Sequence, residues 1–479
     1  MRHSHISFNE RAARLAKKVM GLVTASLISL TSAPTAHADD ASAARANDAR
    51  PAEVAQLTDP APTNLTTTTA DAPLSLSPII RWSKDTNAVS YELELFSKKP
   101  KKVPRDDTSK KAIYRTSDIY ANAFNIPIDE IVGENVTRQP LWWRVRAKNL
   151  AGEPISPFSE LAPLYTNADL PRTDAPVLNE VPDDELGARL LYPVYSWVRP
   201  YNAAGFTIEL YDTDPDAADD AAPIDTFTSP IAEFYDPSPR LSDEPFYWRV
   251  RSTDENGNPI GEWSSVSSFT TSPSEQWDVG VMGDSISHGG GHLSYGPEDL
   301  EFSWLHYLDF PAINLSQSGN VTADLVERFE RDVLPFRPHY LIIMAGSNDL
   351  RSDEFTTAEA IDNIKALTIK CIARGISPIF LTLPPVNAAS IQRAFDEPTD
   401  PNWQKKFAEY NDFIRTLPHI DVASSFEAYS LDDGSLPEWM GLDGLHEDVI
   451  GKQLIAARVN ADWDKATAEA DKIRLEIRP

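Results

Sequence analysis

Four short segments carry residue types that could together perform acyl transfer. Gly283-Asp284-Ser285 supplies a hydroxyl. Ser318-Gly319-Asn320 and Gly346-Ser347-Asn348-Asp349 supply backbone N–H groups and a carboxamide. Asp443-Gly444-Leu445-His446 supplies a carboxylate and an imidazole three residues apart. A serine hydroxyl is a weak nucleophile until a neighbouring base takes its proton. That base needs a carboxylate to fix its tautomer and stabilise its charged form. The tetrahedral intermediate then needs donors aimed at its oxyanion. Each segment alone has a plainer explanation, since a serine in a turn after a strand is ordinarily a helix cap. The four in order, each at the end of a predicted element, are harder to explain that way.

The elements that must position them begin at Gln276. Short apolar runs at 279–282, 312–315, 340–344, 378–383 and 420–423 predict strands. Segments at 297–308, 322–334, 357–373, 402–417 and from 447 to 460 or beyond predict helices. Five buried strands alternating with helices predict a parallel sheet covered on both faces. In such sheets ligands bind outside the carboxyl ends of the strands, which brings all four segments to one rim.

Residues 276–465 resemble the SGNH, or GDSL-type, hydrolase superfamily, whose four blocks occur here in order. The resemblance implies a flavodoxin-like α/β/α fold with a five-stranded parallel sheet in the order 2-1-3-4-5. It implies that Ser285 is the nucleophile, His446 the base and then the acid, and Asp443 its orienting carboxylate. The oxyanion hole it implies consists of the Ser285 N–H, the Gly319 N–H and the Asn348 side chain. No cofactor or metal is expected. Asp284 and Asp349 are expected to hold loops through backbone hydrogen bonds. Ile286 stands where the family usually has leucine or another apolar residue, and His288 followed by three glycines is unusual. His288 and Tyr295 are therefore candidates for substrate contact, and Phe395 and Trp403 for a substrate wall. His288 and His292 could form a metal pair only with a third ligand, and none is evident. Gly-x-Ser-x-Gly, Walker A and His-Glu-x-x-His motifs are absent from the sequence.

Upstream lies an internal repeat. Trp82 followed by Tyr91–Leu95 matches Trp197 followed by Phe206–Leu210, and Trp143-Arg144-Val145-Arg146 matches Trp248-Arg249-Val250-Arg251. A Lys-rich stretch, 98–111, lengthens the first copy. Period-2 alternation and frequent turn signals predict two all-β sandwiches. They resemble fibronectin type III domains at 72–166 and 175–271. The recurring tryptophans are read as core rather than as sugar-stacking platforms.

Residues 1–38 have a basic start, a short apolar run and Ala36-His37-Ala38, the pattern of a cleaved export signal. Residues 39–71 read as a flexible linker and 466–479 as a C-terminal tail. The net charge of −28 disfavours phosphate backbones and anionic membranes. A single cysteine, Cys371, excludes an internal disulfide. These features together predict a secreted or periplasmic serine esterase. It would act on short acyl esters, acetyl foremost, of a small molecule or glycan, with no nucleic-acid partner and no membrane insertion after signal removal. A thioesterase or lysophospholipase of the same fold, or a glycan-binding adhesive protein with an inactive hydrolase domain, are the alternatives.

Overall fold

The computed structural model describes residues 59–477 apart from 134–139, 173, 180, 183 and 219. The expected export signal, 1–38, and the stretch 39–58 lie outside the described residues.

The first β-unit pairs β1 (Ile79–Arg81) with β4 (Ala123–Asn125) and packs them on a four-stranded sheet. That sheet has the order β3 (Tyr114–Ile119), β2 (Ser90–Phe96), β5 (Leu141–Lys148), β6 (Ala162–Leu164). A short helix, α1 (Ile128–Val132), follows β4. The second unit has a sheet β11 (Glu233–Tyr235), β8 (Val194–Val198), β7 (Val177–Leu178). Its other sheet runs β10 (Asp225–Ser229), β9 (Gly205–Tyr211), β12 (Phe246–Thr253), with β13 (Pro259–Ile260) and β14 (Ser267–Phe269) on β12. The repeat in the sequence is thus a repeat of the β2/β5 and β9/β12 antiparallel pairs. Trp82, Trp143 and Trp197 are buried in the two cores, with Trp82 edge-on to Tyr91 and Trp197 edge-on to Phe206. Aromatic packing there contributes about 0.5–1.5 kcal/mol per pair beyond area burial. The arginines of the repeat face glutamates across the strands. Arg144 bonds Glu94 at 2.6 Å in the first unit, and Arg249 bonds Glu209 at 2.8 Å in the second.

Two expectations about chain ends fail. Residues 59–71 form part of the first unit: Leu65 N–H donates to Arg81 O, and Thr68 is buried with its hydroxyl on Pro163 O. They carry too few apolar residues for periodicity to show, and side-chain-to-backbone bonds hold them instead. The C-terminal stretch is helix, because α9 (Val449–Ile477) continues through it and buries Ala466 and Ala470 in the core.

The third unit has one parallel sheet in the order β16 (Ile313–Asn314), β15 (Val279–Gly283), β17 (Tyr340–Met344), β18 (Ser377–Leu381), β19 (His419–Ile420). In chain order this is 2-1-3-4-5, as expected. Around it lie α2 (Ser285–His288), α3 (Thr322–Val333), α4 (Ser347–Leu350), α5 (Thr357–Ala373), α6 (Ala388–Phe395), α7 (Trp403–Ile414), α8 (Val422–Glu427) and α9. The segment read as one helix at 297–308 is instead two 3₁₀ turns, Leu300–Phe302 and Trp304–Tyr307. α6 falls where the sequence predicts no element; Asn387 caps it through Ser390 N–H at 3.1 Å. Cys371 is buried in α5, and burial pushes its thiol up.

The β-units pack against this sheet rather than trail from it. Leu191 and Tyr192 belong to its hydrophobic core, and Leu191 N–H donates to Asn314 O at 2.8 Å beside the edge strand β16. The loop after α2 reaches the first unit: the Tyr295 hydroxyl donates to Asp85 O at 2.6 Å, Ser294 bonds Val89 O and Asp299 pairs with Lys84.

Candidate active site

Parallel pairing of β15 with β16 and β17 puts the ends of these strands side by side, and the loops that leave them converge. Ser285 opens α2 directly after β15, capped by Asp284, whose side chain accepts from Ile286 N–H at 3.0 Å. His446 lies before α9. Its Nε2 is 2.8 Å from Ser285 Oγ, and its Nδ1 is 2.8 Å from Asp443 Oδ2. The other Asp443 oxygen accepts from the backbone N–H of Leu445 at 2.9 Å and of His446 at 2.8 Å. Burial alone would raise the Asp443 carboxyl. The charge of His446 and these three hydrogen bonds outweigh it and hold the group below the usual carboxylate range. Nδ1–H must therefore donate to the carboxylate, which leaves Nε2 free to accept from the serine. Ser285 and His446 keep 6% and 8% of their surface, enough for contact with a bound group.

The tight turn between Asp443 and His446 requires Gly444, at φ +80°. A side chain there would meet Asn387 O at 2.5 Å, and Asn387 N–H in turn donates to Gly444 O at 2.7 Å. The helix missed in the sequence, α6, thus begins with the residue that holds this turn. Phe395 at its other end stands edge-on to the His446 ring, centroids 6.1 Å apart. Trp403 is buried against Phe407 and is no part of a wall.

Gly319 is exposed at φ +85°, with open space around it. Asn348, in the first turn of α4, donates one N–H to Asn320 O at 3.0 Å and accepts from Arg351 Nε at 3.2 Å. A carboxamide has two N–H donors, so one remains for a ligand. Asp349 accepts from Thr322 N–H and hydroxyl, tying the third block to α3.

His288 and Tyr295 are not placed for substrate contact. His288 is 2% exposed; its Nε2–H donates to Tyr192 O at 2.7 Å, and Nδ1 accepts from Ser318 N–H at 3.3 Å. Burial pushes its pKa down to about 4, so the ring stays neutral. It braces the Ser318–Gly319 turn. Tyr295 stacks on Phe302 at 4.3 Å and spends its hydroxyl on the first β-unit. Both misreadings took sequence proximity to Ser285 for proximity in space. His292, the other half of the conceivable metal pair, turns to Thr86 O.

Two buried cations went unnoticed in the sequence. Arg328 on α3 bonds Gly283 O, Leu315 O and Asn320 Oδ1 at 3.2, 2.6 and 2.7 Å, and so gathers the first two blocks. Lys452 on α9 is fully buried and donates to Ile286 O at 2.8 Å, with Glu447 at 3.8 Å. Burial pushes Asp284 up to about 7. The available signal was a charge on an otherwise apolar stripe: Arg328 beside Leu325 and Phe329, Lys452 beside Ile455 and Ala456.

Residues 281–454 match the family described as GDSL-like Lipase/Acylhydrolase. This part of the chain is a GDSL-like acylhydrolase domain. It is a carboxylic ester hydrolase. Among similar solved structures are a lipase/acylhydrolase from Enterococcus faecalis (21% identity, 42% of this chain, 97% of that one, TM-score 0.30) and a GDSL-like lipase from Bacteroides thetaiotaomicron (19%, 40%, 90%, 0.32). A third is a catalytic mutant of an acetylxylan esterase from Geobacillus stearothermophilus (17%, 39%, 93%, 0.31). No curated protein matches the chain. Among the described residues no helix is long and apolar enough to cross a membrane.

Proposed function

We propose that the hydrolase domain cleaves short-chain acyl esters, acetyl foremost, on a carbohydrate, through an acyl-serine intermediate at Ser285. The continuous hydrogen-bonded line Asp443–His446–Ser285 carries this reading. His446 Nε2 takes the Ser285 proton as Oγ forms its bond to the ester carbonyl carbon. The tetrahedral oxyanion is held by the N–H groups of Ser285 and Gly319 and the free N–H of Asn348. As the alcohol leaves it takes the proton from His446. Water then attacks the acyl-serine, with His446 again the base, and the acid is released with Ser285 restored. Asp443 holds the imidazole in the accepting tautomer before each proton transfer and stabilises the imidazolium after it.

The small-acyl, polar-alcohol preference is supported by the polar residues of the second and third blocks. Asn348 is bonded to Asn320 O and to Arg351 Nε, and carboxamides of this kind suit a sugar better than an alkyl chain. The export pattern of residues 1–38 supports action outside the cytoplasm. The test is turnover of p-nitrophenyl esters from acetyl to dodecanoyl, and acetate release from acetylated polysaccharide, by the full chain and by Ser285→Ala. The expected result is turnover falling steeply with chain length and lost in the variant. A preference for long chains would exclude the small-acyl reading, and equal turnover by both proteins would exclude Ser285 as nucleophile.

A further inference from the structure

At the end of the sheet opposite the catalytic rim, the amino ends of β17 and β18 open onto a cavity of about 520 Å³. Pro338 and Ile376 form part of its lining, together with Arg337, His339, Arg374 and Arg474. These four basic side chains come from three places. Arg337 and His339 lie in the turn before β17, Arg374 is the C-cap of α5, and Arg474 sits in the last turn of α9. The chain carries 72 acidic and 44 basic residues, so a pocket with three guanidinium groups reverses the sign of the molecule around it.

The local acids do not balance these charges. Asp471 accepts from Ser377 Oγ at 2.7 Å, Tyr340 OH at 3.0 Å and Arg474 Nη2 at 3.2 Å, with His339 Nε2 at 3.1 Å. Burial opposes its ionisation, but those bonds win and hold it down at about 2. Asp278, largely exposed, is 3.9 Å from His339 Nδ1. Glu330, whose charge reaches Arg374, is bonded to Lys370 Nζ at 2.7 Å. The side chains of Arg337 and Arg374 make no hydrogen bond or ion pair with any described residue. Among the described residues Arg474 Nε is buried without a partner. A buried donor of this kind is rare in folded proteins and points to an acceptor supplied from outside. Arg337 also holds a left-handed backbone, φ +47°, which is costly for a side chain and recurs where a residue is held for a ligand.

We propose that this cavity binds a tetrahedral oxyanion, phosphate or sulfate, either free or as a monoester on a sugar. Guanidinium forks match the oxygen spacing of such groups, and three forks suit a tetrahedral oxyanion better than a single carboxylate. The site lies across the sheet from Ser285, so its occupant does not compete with the ester.

The test is isothermal titration of the full chain with inorganic phosphate at fixed ionic strength. Parallel titrations use Arg337→Ser, Arg374→Ser and the double variant. Both side chains are exposed, so the fold should survive, as circular dichroism will check. The expected result is saturable one-to-one binding, weakened about tenfold by each substitution and abolished in the double variant. Glucose 6-phosphate and glucose 6-sulfate form the second arm. Tighter binding of a monoester identifies an anionic sugar as the ligand, and binding of phosphate alone identifies the free ion. Protein whose catalytic serine has been blocked with a phosphonate should bind phosphate unchanged. The assignment is overturned by non-saturable heats, by an equal effect of chloride, by unchanged affinity in the double variant, or by loss of binding in the blocked protein.

Discussion

Asp443→Asn should cost about 10⁴-fold in kcat/KM, close to 5.5 kcal/mol at 1.36 kcal/mol per decade. The structure dictates why so small a change has so large an effect. Asp443 Oδ1 accepts two backbone N–H groups, from Leu445 and His446, while Oδ2 faces His446 Nδ1. In the asparagine variant the amide oxygen must take the Oδ1 place, because an NH₂ there would confront two donors. The NH₂ then faces Nδ1 and donates to it. Nδ1 becomes the acceptor, the ring proton moves to Nε2, and Nε2–H points at Ser285 Oγ. The imidazole can then no longer take the serine proton. The assay is steady-state hydrolysis of p-nitrophenyl acetate between pH 6 and 9, with circular dichroism and thermal unfolding to show an intact fold. Residual activity should rise with pH as hydroxide substitutes for the base. A folded variant within about tenfold of the parent would refute the argument, since it would mean that the Asp443–His446 bond does not set the tautomer.

Other perturbations read other parts of the structure. Asp284 sits near 7 when folded against 3.8 for an ordinary aspartate, so it favours folding at low pH and that contribution is lost as pH rises from about 4 to about 7. Asp284→Asn keeps an oxygen for the cap and should raise Tm at pH 8 but not at pH 4, with an upper bound of about 4 kcal/mol; chemical denaturation at the two pH values measures it. His288 acts with the opposite sign: held near 4, it favours folding above about 6.5 and loses that contribution as pH falls toward 4. His288→Gln should flatten the fall in Tm across that range. Lys452→Met leaves buried Glu447 without its cation and should destabilise by about 3–5 kcal/mol, whereas Lys452→Met with Glu447→Gln should recover much of it; urea unfolding of the full cycle decides. Tyr295→Phe should lower stability by about 1 kcal/mol through the lost bond to Asp85 O while KM for the acetyl ester stays unchanged; a raised KM would return Tyr295 to the substrate site.

The hydrolase sheet was legible because its strands are buried on both faces and appear as short apolar runs, and because 2-1-3-4-5 pairing follows from the resemblance carried by four local blocks. The hydrogen-bonded line Asp443–His446–Ser285 was legible for the same reason, each member being carried by the few residues around it. Trp82, Trp143 and Trp197 could be read as core because their strand positions repeat. What the sequence could not supply are contacts set by distant chain segments. Loop residues 288–302 follow Ser285 in the chain yet face the β-units, because Lys84, Asp85 and Tyr192 offer partners there that solvent cannot match. Residues 59–71 and 466–477 are ordered by tertiary bonds and burial without showing a strong periodicity of their own. Arg328 and Lys452 look like surface charges until packing shuts them in with backbone carbonyls. Local chemistry, carried by neighbours in sequence, named the candidate reacting groups. The tertiary structure alone decided which side chains brace them, because bracing depends on burial and on partners as far as 215 residues away along the chain.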